Sequence, residues 1–367
     1  MIGPRIFQPD IFSFHHLGSG FSLHPMKFSL SQGAVVVTSI SGPNAVLQSL
    51  AQGCVAHQSR FIVTGDTKSP REFSLEGCEF LDVEAQRKLP FAYARSCPER
   101  SYSRKNIAYL AAIAGGAKFI VETDDDNFPR DGFWEDRSRL LQADRVEPKG
   151  WINVYGHFAD AFIYPRGFPL DLAKSTDAVP LRISTDAWHD CPIQQGLADE
   201  NPDVDAVYRM LFTLPFNFEK RAPVVLSDGQ WCPFNSQNTT IFADAYPLLY
   251  LPSHCSFRMT DIWRSFVAQR ILWTCHWQVA FHSATVWQER NEHSLIKDFE
   301  DEIPGYRFNA KLVEVLAGLK LEPGVPAIPE NMRRCYAALI SNGWVGAEET
   351  PLLEEWLEAV EAARTKK

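Results

Sequence analysis

The chain has no run of about 20 consecutive apolar residues, so no segment reads as a membrane-spanning helix. Its first thirty residues are broken by Pro, Gly, His and Asp and hold no apolar core of a signal peptide. The eight cysteines, at 54, 78, 97, 191, 232, 255, 275 and 335, form no C-x-x-C pair, which argues against a zinc ribbon or a thioredoxin-like motif. Free thiols in a cytoplasm are the simplest reading, and a cytoplasmic location is the expectation. Positive charge is not in excess either. A net charge of -9 argues against a nucleic-acid partner and allows at most peripheral contact with an anionic membrane. There is no internal repeat and no low-complexity tract. What remains is an ordinary globular composition, 45% hydrophobic and 22% charged, which can build a large core without a metal or disulfide.

Residues 1–33 are irregular and are expected to lie as an arm over the main domain. The run GAVVVTSI (33–40) is short, apolar and β-branched, as a buried strand should be. A helix follows in GPNAVLQSLA, a second strand in SRFIVTGD ending at Asp66, and a third in CEFLDV. This alternation predicts a parallel sheet with helices on its faces. The pattern recurs at 103–126. Ser103 is placed to N-cap a helix over 104–114, Gly115 and Gly116 stop it, and KFIVET forms the next strand. A short helix is expected near 203–212 and a longer one over 260–273, with Thr260 as its N-cap. After Gly305 the chain turns helical. The expected organisation is an arm (1–33), a main α/β domain (34–300) and a C-terminal helical appendage (301–367).

Asp124, Asp125 and Asp126 stand at the carboxyl end of KFIVET, where open α/β sheets bind ligands. Three adjacent carboxylates repel one another, and a cation among them removes the repulsion. Mn²⁺ and Mg²⁺ take oxygen ligands, commonly one or two protein carboxylates completed by substrate phosphates. Asp124 and Asp126, one residue apart, are the candidate metal pair, with Asp125 beside them at the nucleotide. A diphosphate also needs basic partners, and Arg104 and Lys105 open the helix before the metal strand. Thr38 and Asp66, at the ends of the first two strands, fall where a nucleotide would be selected.

The run YSRKNIAYLAAIAGGAKFIVETDDDN resembles the STELLO-type glycosyltransferases. The resemblance continues in YPRGFPL (164–170), QGLADENPDVDAVYR (195–209), PFNSQNTTIF (233–242) and DIWRSFVAQR (261–270), covering roughly residues 35 to 285. It implies a GT-A-like fold, a Rossmann-type mixed sheet flanked by helices, with a metal-dependent nucleotide-sugar site. The plant members of that family are anchored in the Golgi membrane. This chain shows no such anchor, so their location and partners do not carry over.

An inverting transfer needs a carboxylate to take the proton of the acceptor hydroxyl. Asp261, at the start of a helix late in the domain, fits that role, and Asp203 and Asp205 are its rivals or acceptor contacts. Arg166 and Arg264 are candidates for acceptor or phosphate contacts, and His282 for a third metal ligand. The expected function is metal-dependent transfer of a sugar from a nucleotide donor, UDP before GDP, to a glycan or lipid-linked acceptor in polysaccharide biosynthesis. Two alternatives stand beside it: a non-catalytic glycan-binding or scaffold protein on the same fold, and a sugar nucleotidyltransferase. The latter would usually carry a Gly-rich N-terminal loop, whereas SISGPNAV has one Gly and no Arg. A haloacid-dehalogenase phosphatase fits poorly, because Asn127 and Phe128 follow Asp126 where Thr or Val is wanted.

Overall fold

A computed structural model describes residues 12–13, 24–175, 181–183, 187–291 and 294–365. Most of the expected N-terminal arm therefore lies outside the described residues. Among those described, eleven strands form one mixed sheet. In chain order they are β1 (Gly33–Thr38), β2 (Arg60–Thr64), β3 (Glu79–Leu81), β4 (Phe119–Thr123), β5 (Asn127–Pro129), β6 (Asp144–Glu147), β7 (Leu181–Ile183), β8 (Ile193–Asp199), β9 (Val224–Leu226), β10 (Asn238–Phe242) and β11 (Val279–Gln288). Their spatial order is β7-β6-β9-β11-β8-β10-β4-β1-β2-β3, and β5 pairs with β11. The expected mixed α/β fold, a central sheet flanked by helices, is what the chain forms.

One half of the sheet is parallel. β1 pairs with β2 on one side and β4 on the other, and β2 pairs with β3. The chain thus leaves β1 in one direction for β2 and β3 and returns to its other side for β4. That reversal is a topological switch point, and the crevice above it is where such sheets take ligands. Beyond β4 the pairing becomes antiparallel through β10 and β8, with Asn238 opposite Thr123. β1 reads as an unbroken apolar run because both of its faces are covered. Val35 and Val37 join the cluster beneath the helix α1 (Ala45–Ala56), while Ala34 and Val36 belong to the main core on the other face. At Gly33 an added Cβ would come within 2.5 Å of the Phe119 ring, so no larger side chain fits between β1 and β4 there.

The helix α2 (Lys105–Ala114) crosses the main-core face. Its small residues let the sheet and the last helix approach from opposite sides, and nine of its ten residues are buried. Its start differs from expectation. The cap is Ser101, which accepts from the Ser103 amide at 3.3 Å, and Tyr102–Arg104 form a 3-10 turn that leads into the helix. Four further helices are α3 (Ala206–Leu211), α4 (Thr260–Thr274), α5 (Leu295–Gly318) and α6 (Ile328–Ser341), and the last is α7 (Glu349–Thr365). α5 begins ten residues before Gly305 and runs through both Pro304 and Gly305. Gly305 marks a close approach, not a helix start: a Cβ there would lie 2.3 Å from the Met259 sulfur. The C-terminal helices share the main core. The Trp356 ring of α7 meets the edges of Tyr93 and Tyr109, and its Nε1 donates to the Pro247 carbonyl at 3.0 Å. Glu349 accepts from the amides of Ser253 and His254 at 3.0 and 2.7 Å. Among the described residues no helix is long and apolar enough to cross a membrane.

β4 and α4 are joined by charge. Glu122, fully buried near the carboxyl end of β4, accepts from Arg264 of α4 at 2.7 and 2.9 Å and also from the Tyr109 hydroxyl. Burial opposes the Arg264 charge, but Glu122 and Tyr109 more than offset it and hold the guanidinium above its ordinary range. Removing one partner leaves an uncompensated charge in the core, which typically costs about 3–5 kcal/mol. Glu122→Gln is therefore expected to lower urea-unfolding stability by about that amount. The double variant Glu122→Gln/Arg264→Met should recover part of the loss.

Candidate functional site

The carboxyl ends of β1 and β4 open onto a cavity of about 940 Å³. Its floor is built by the turns that leave the two strands. Asn44 N-caps α1 by accepting from the Leu47 amide at 2.9 Å, and its Nδ2 donates to the Asp125 carbonyl at 2.8 Å. Ser39 donates to the Asp125 carboxylate. The aspartate turn is thus stitched to the end of β1 across the switch point.

Each aspartate has its own neighbours. Asp124 Oδ1 accepts from the Lys105 ammonium and the Tyr102 hydroxyl, each at 2.8 Å. Asp125 is turned toward Ser39, and burial raises its carboxyl above the usual range. Asp126 accepts from the Gln288 side-chain amide at 3.1 Å on both oxygens. Burial, followed by the negative charges of Asp124 and Asp125, pushes Asp126 up to about 7. That destabilised negative charge is what a bound cation would relieve. Asp124 and Asp126 are the side chains here that could hold a hard divalent ion. Among the described residues no group of three or more His, Cys, Asp and Glu is placed to hold a metal. Mg²⁺ and Mn²⁺ do not require one, since substrate phosphates and water complete their shells.

Opposite the aspartates stands Asp261, in the first turn of α4. Arg166 reaches both Asp261 oxygens, at 2.9 and 3.1 Å, and Asp203 at 2.7 and 2.9 Å. Burial would raise Asp203, but Arg166 outweighs it and holds the carboxyl down at about 2. The Ser236 amide donates to Asp261 at 3.2 Å, and the Ser236 hydroxyl lies 2.6 Å from that of Tyr102. One short chain of polar groups therefore links Asp261 to Asp124.

Of the residues singled out in the sequence, Thr38, Asp66, Asp124, Asp125, Asp126, Arg166, Asp203 and Asp261 line this cavity. Five do not. Lys105 is fully buried beneath Asp124 and touches that carboxylate directly. Arg104 points the other way. Its guanidinium donates to the Gln86 side chain and to the carbonyls of Cys97 and Pro98, at 3.1 and 3.3 Å for the carbonyls. As a phosphate contact it is replaced by this structural role, because the 3-10 turn before α2 swings it off the ligand edge. Arg264 is likewise occupied inside the core by Glu122. Asp205 N-caps α3 by accepting from the Tyr208 amide at 2.7 Å. Burial and the nearby Glu302 push its carboxyl up to about 7, and the amide lowers it in part. His282 is on β11 opposite Gly196, away from the aspartates. Its Nε2 is buried with no hydrogen-bond partner among the described residues, and burial, then Arg137, lowers it to about 4. Six residues further along the same strand, Gln288 takes the place next to Asp126 that His282 was expected to fill.

Sequence reasoning missed Tyr102, Ser236, Gln288 and the arginines 209, 258 and 290, all of which line the cavity. Arg209 closes the run NPDVDAVYR and Arg290 closes WQER, but nothing local in either run says which way a side chain faces.

The architecture is GT-A-like, with a mixed sheet and a polar ligand cavity at the switch point of its parallel half. A family model described as STELLO glycosyltransferases matches residues 258–366, which include the C-terminal helices as well as α4. The sequence motifs resembling that family lie mostly before this region. The chain is 29% identical over 307 residues to the probable glycosyltransferase STELLO2 of Arabidopsis thaliana, covering 78% of this chain and 39% of the relative. It is 29% identical over 270 residues to the probable glycosyltransferase STELLO1 of the same plant, covering 68% and 34%. The resemblance read from the motifs is thus supported, and the chain is similar to a glycosyltransferase family. It spans less than half the length of these curated relatives.

The placement of Arg104 gives a direct expectation. Arg104→Ala should cost about 1–3 kcal/mol of unfolding stability, the usual loss when buried polar partners are orphaned. Affinity for nucleoside diphosphate, read by calorimetry on the folded variant, should stay within about twofold.

Proposed function

We propose that this chain transfers a sugar from a nucleotide-sugar donor to an acceptor hydroxyl, with Asp124 and Asp126 holding a divalent cation. The observation that carries this reading is the aspartate turn at the switch point, which shares a cavity of about 940 Å³ with Asp261. The nucleotide fits the edge formed by Thr38, Ser39 and Asp66, where the parallel strands end. Lys68 and Arg100, on the same edge, supply positive charge toward a diphosphate. When bound, the cation would neutralise charge on the departing diphosphate.

In the transfer, the bond between the anomeric carbon and the terminal phosphate oxygen breaks, and its electron pair leaves on the diphosphate. The acceptor oxygen bonds to that carbon and its proton passes to Asp261. Arg166 and Ser236 fix the orientation of the Asp261 carboxylate, so the base is positioned before the acceptor arrives. Attack from the side opposite the leaving group inverts the anomeric centre.

Two experiments test this. Calorimetry with UDP and GDP in Mn²⁺ should show binding that falls at least about tenfold when EDTA is added or when Asp126 is changed to Ala. Unchanged binding in EDTA would remove the metal from the site. Asp261→Asn keeps the size of the side chain and should leave nucleotide affinity near normal. Turnover should fall by about 10²–10⁴, the usual contribution of a positioned base. NMR of the product should show the anomeric configuration opposite to the donor's. A near-normal turnover in the Asn variant would end the base assignment.

A further inference from the structure

Three arginines from distant parts of the chain line the cavity, close enough for their charges to disfavour one another. Arg209 is on α3, Arg258 lies in the turn Phe257–Met259 before α4, and Arg290 stands just past the end of β11. Like charges brought together in a partly buried wall need a reason. Arg258 is held by Glu302 at 2.9 Å, and Arg290 pairs with Asp298. Arg209 has no ion pair among the described residues. It donates to the carbonyl of Pro202 at 2.8 Å, to that of Val204 at 3.4 Å and to the Asn201 side chain at 3.4 Å, all of them uncharged. Asp205, the nearest carboxylate in sequence, caps α3, and Asp203 is already taken by Arg166. Burial, then the charge of Arg290, lowers the Arg209 guanidinium to about 9, with Asp203 compensating only in part. The wall therefore carries positive charge that the protein leaves partly unmatched, at the edge of an open cavity.

Two of the three arginines are tied to the groups around Asp203 and Asp261. Thr38, Ser39 and Asp66 mark the nucleotide edge, which has its own cations in Lys68 and Arg100. Arg258 stands three residues before Asp261, Arg209 holds the carbonyls of Pro202 and Val204 on either side of Asp203, and Arg290 follows Glu289, whose amide donates to the Asp126 carbonyl. The Arg258 carbonyl accepts from Arg166, the residue that orients Asp261. An anion seated on these arginines would bring its neighbouring hydroxyls toward that carboxylate.

We propose that Arg209, Arg258 and Arg290 form a subsite for an anionic group carried by the acceptor, a phosphate or a sugar carboxylate. The assignment rests on the glycosyltransferase reading above. Guanidinium forks suit both groups, because each presents paired oxygens to paired N–H donors.

The test uses the whole chain loaded with UDP or GDP and Mn²⁺, titrated with glucose 1-phosphate, glucuronate and glucose. At least one of the two anions should bind at least about tenfold more tightly than glucose, and which one does identifies the group. Arg209→Gln and Arg258→Gln should each remove that preference while nucleoside diphosphate affinity stays within about twofold. Arg209→Lys should restore part of it, and thermal melting would confirm that each variant is folded. Equal binding of glucose and both anions would overturn the subsite. So would variants that lose nucleoside diphosphate affinity and keep the anion preference, since that would put the arginines on the donor's phosphates. Loss of the preference with nucleotide binding intact affects the subsite alone. Failure of the wild-type chain to bind any nucleoside diphosphate would overturn the glycosyltransferase reading and the acceptor assignment together.

Discussion

The ion pair between Glu122 and Arg264 fixes the geometry on which the candidate site depends. Glu122 sits two residues before the aspartate turn, and Arg264 sits three residues after Asp261. Two candidate site residues from distant parts of the chain, Asp124 and Asp261, are thereby held to one buried contact. Tyr109 also donates to Glu122, and Arg264 also reaches the Asn235 carbonyl at 3.2 Å. Buried charges of this kind add little net stability over an apolar contact, but they tolerate little change in distance or angle. Asp124 and Asp261 inherit that precision because each is less than one helical turn, or two strand residues, from its anchor.

Above this pair the cavity is organised by charge of alternating sign. Lys105 lies under Asp124, Arg166 bridges Asp203 and Asp261, and the arginine wall stands beyond them. Asp126 is left with a neutral partner, Gln288, and burial disfavours its ionised form. Arg209 is its counterpart among the cations. Both groups face the same cavity, where incoming charge of the opposite sign would be stabilised.

The C-terminal helices belong to the same physical argument. α7 packs its Trp356 against Tyr109, the residue that donates to Glu122. Glu349, at the start of α7, ties down the amides of Ser253 and His254, shortly before the turn that carries Arg258. These helices therefore brace both the strand that carries the aspartates and the turn that leads into α4. The family match, residues 258–366, covers these helices.

Much of the parallel half of the sheet was legible in the sequence. A strand covered on both faces must be apolar along its whole length, and the chain that leaves it must turn polar at once, so GAVVVTSI and KFIVETDDD announce both the strands and the ligand edge. The helix of Asp261 was legible for a similar local reason, since its acidic first turn precedes a long helical run. The direction of the basic side chains was not. Arg104 and Lys105 are adjacent, yet one supports Gln86 and two carbonyls while the other supports Asp124. Their facing depends on whether the chain enters α2 directly or through a 3-10 turn, which packing decides. The sequence by itself determined the strands of the parallel half, the aspartate turn and the helix that bears Asp261, because apolar periodicity and turn chemistry act over a few residues. Only the tertiary structure decided which charges meet. Glu122 finds Arg264 across 142 positions and Arg166 finds Asp261 across 95, and an ion pair in a low-dielectric interior is set by distance in space, to which spacing along the chain gives no guide.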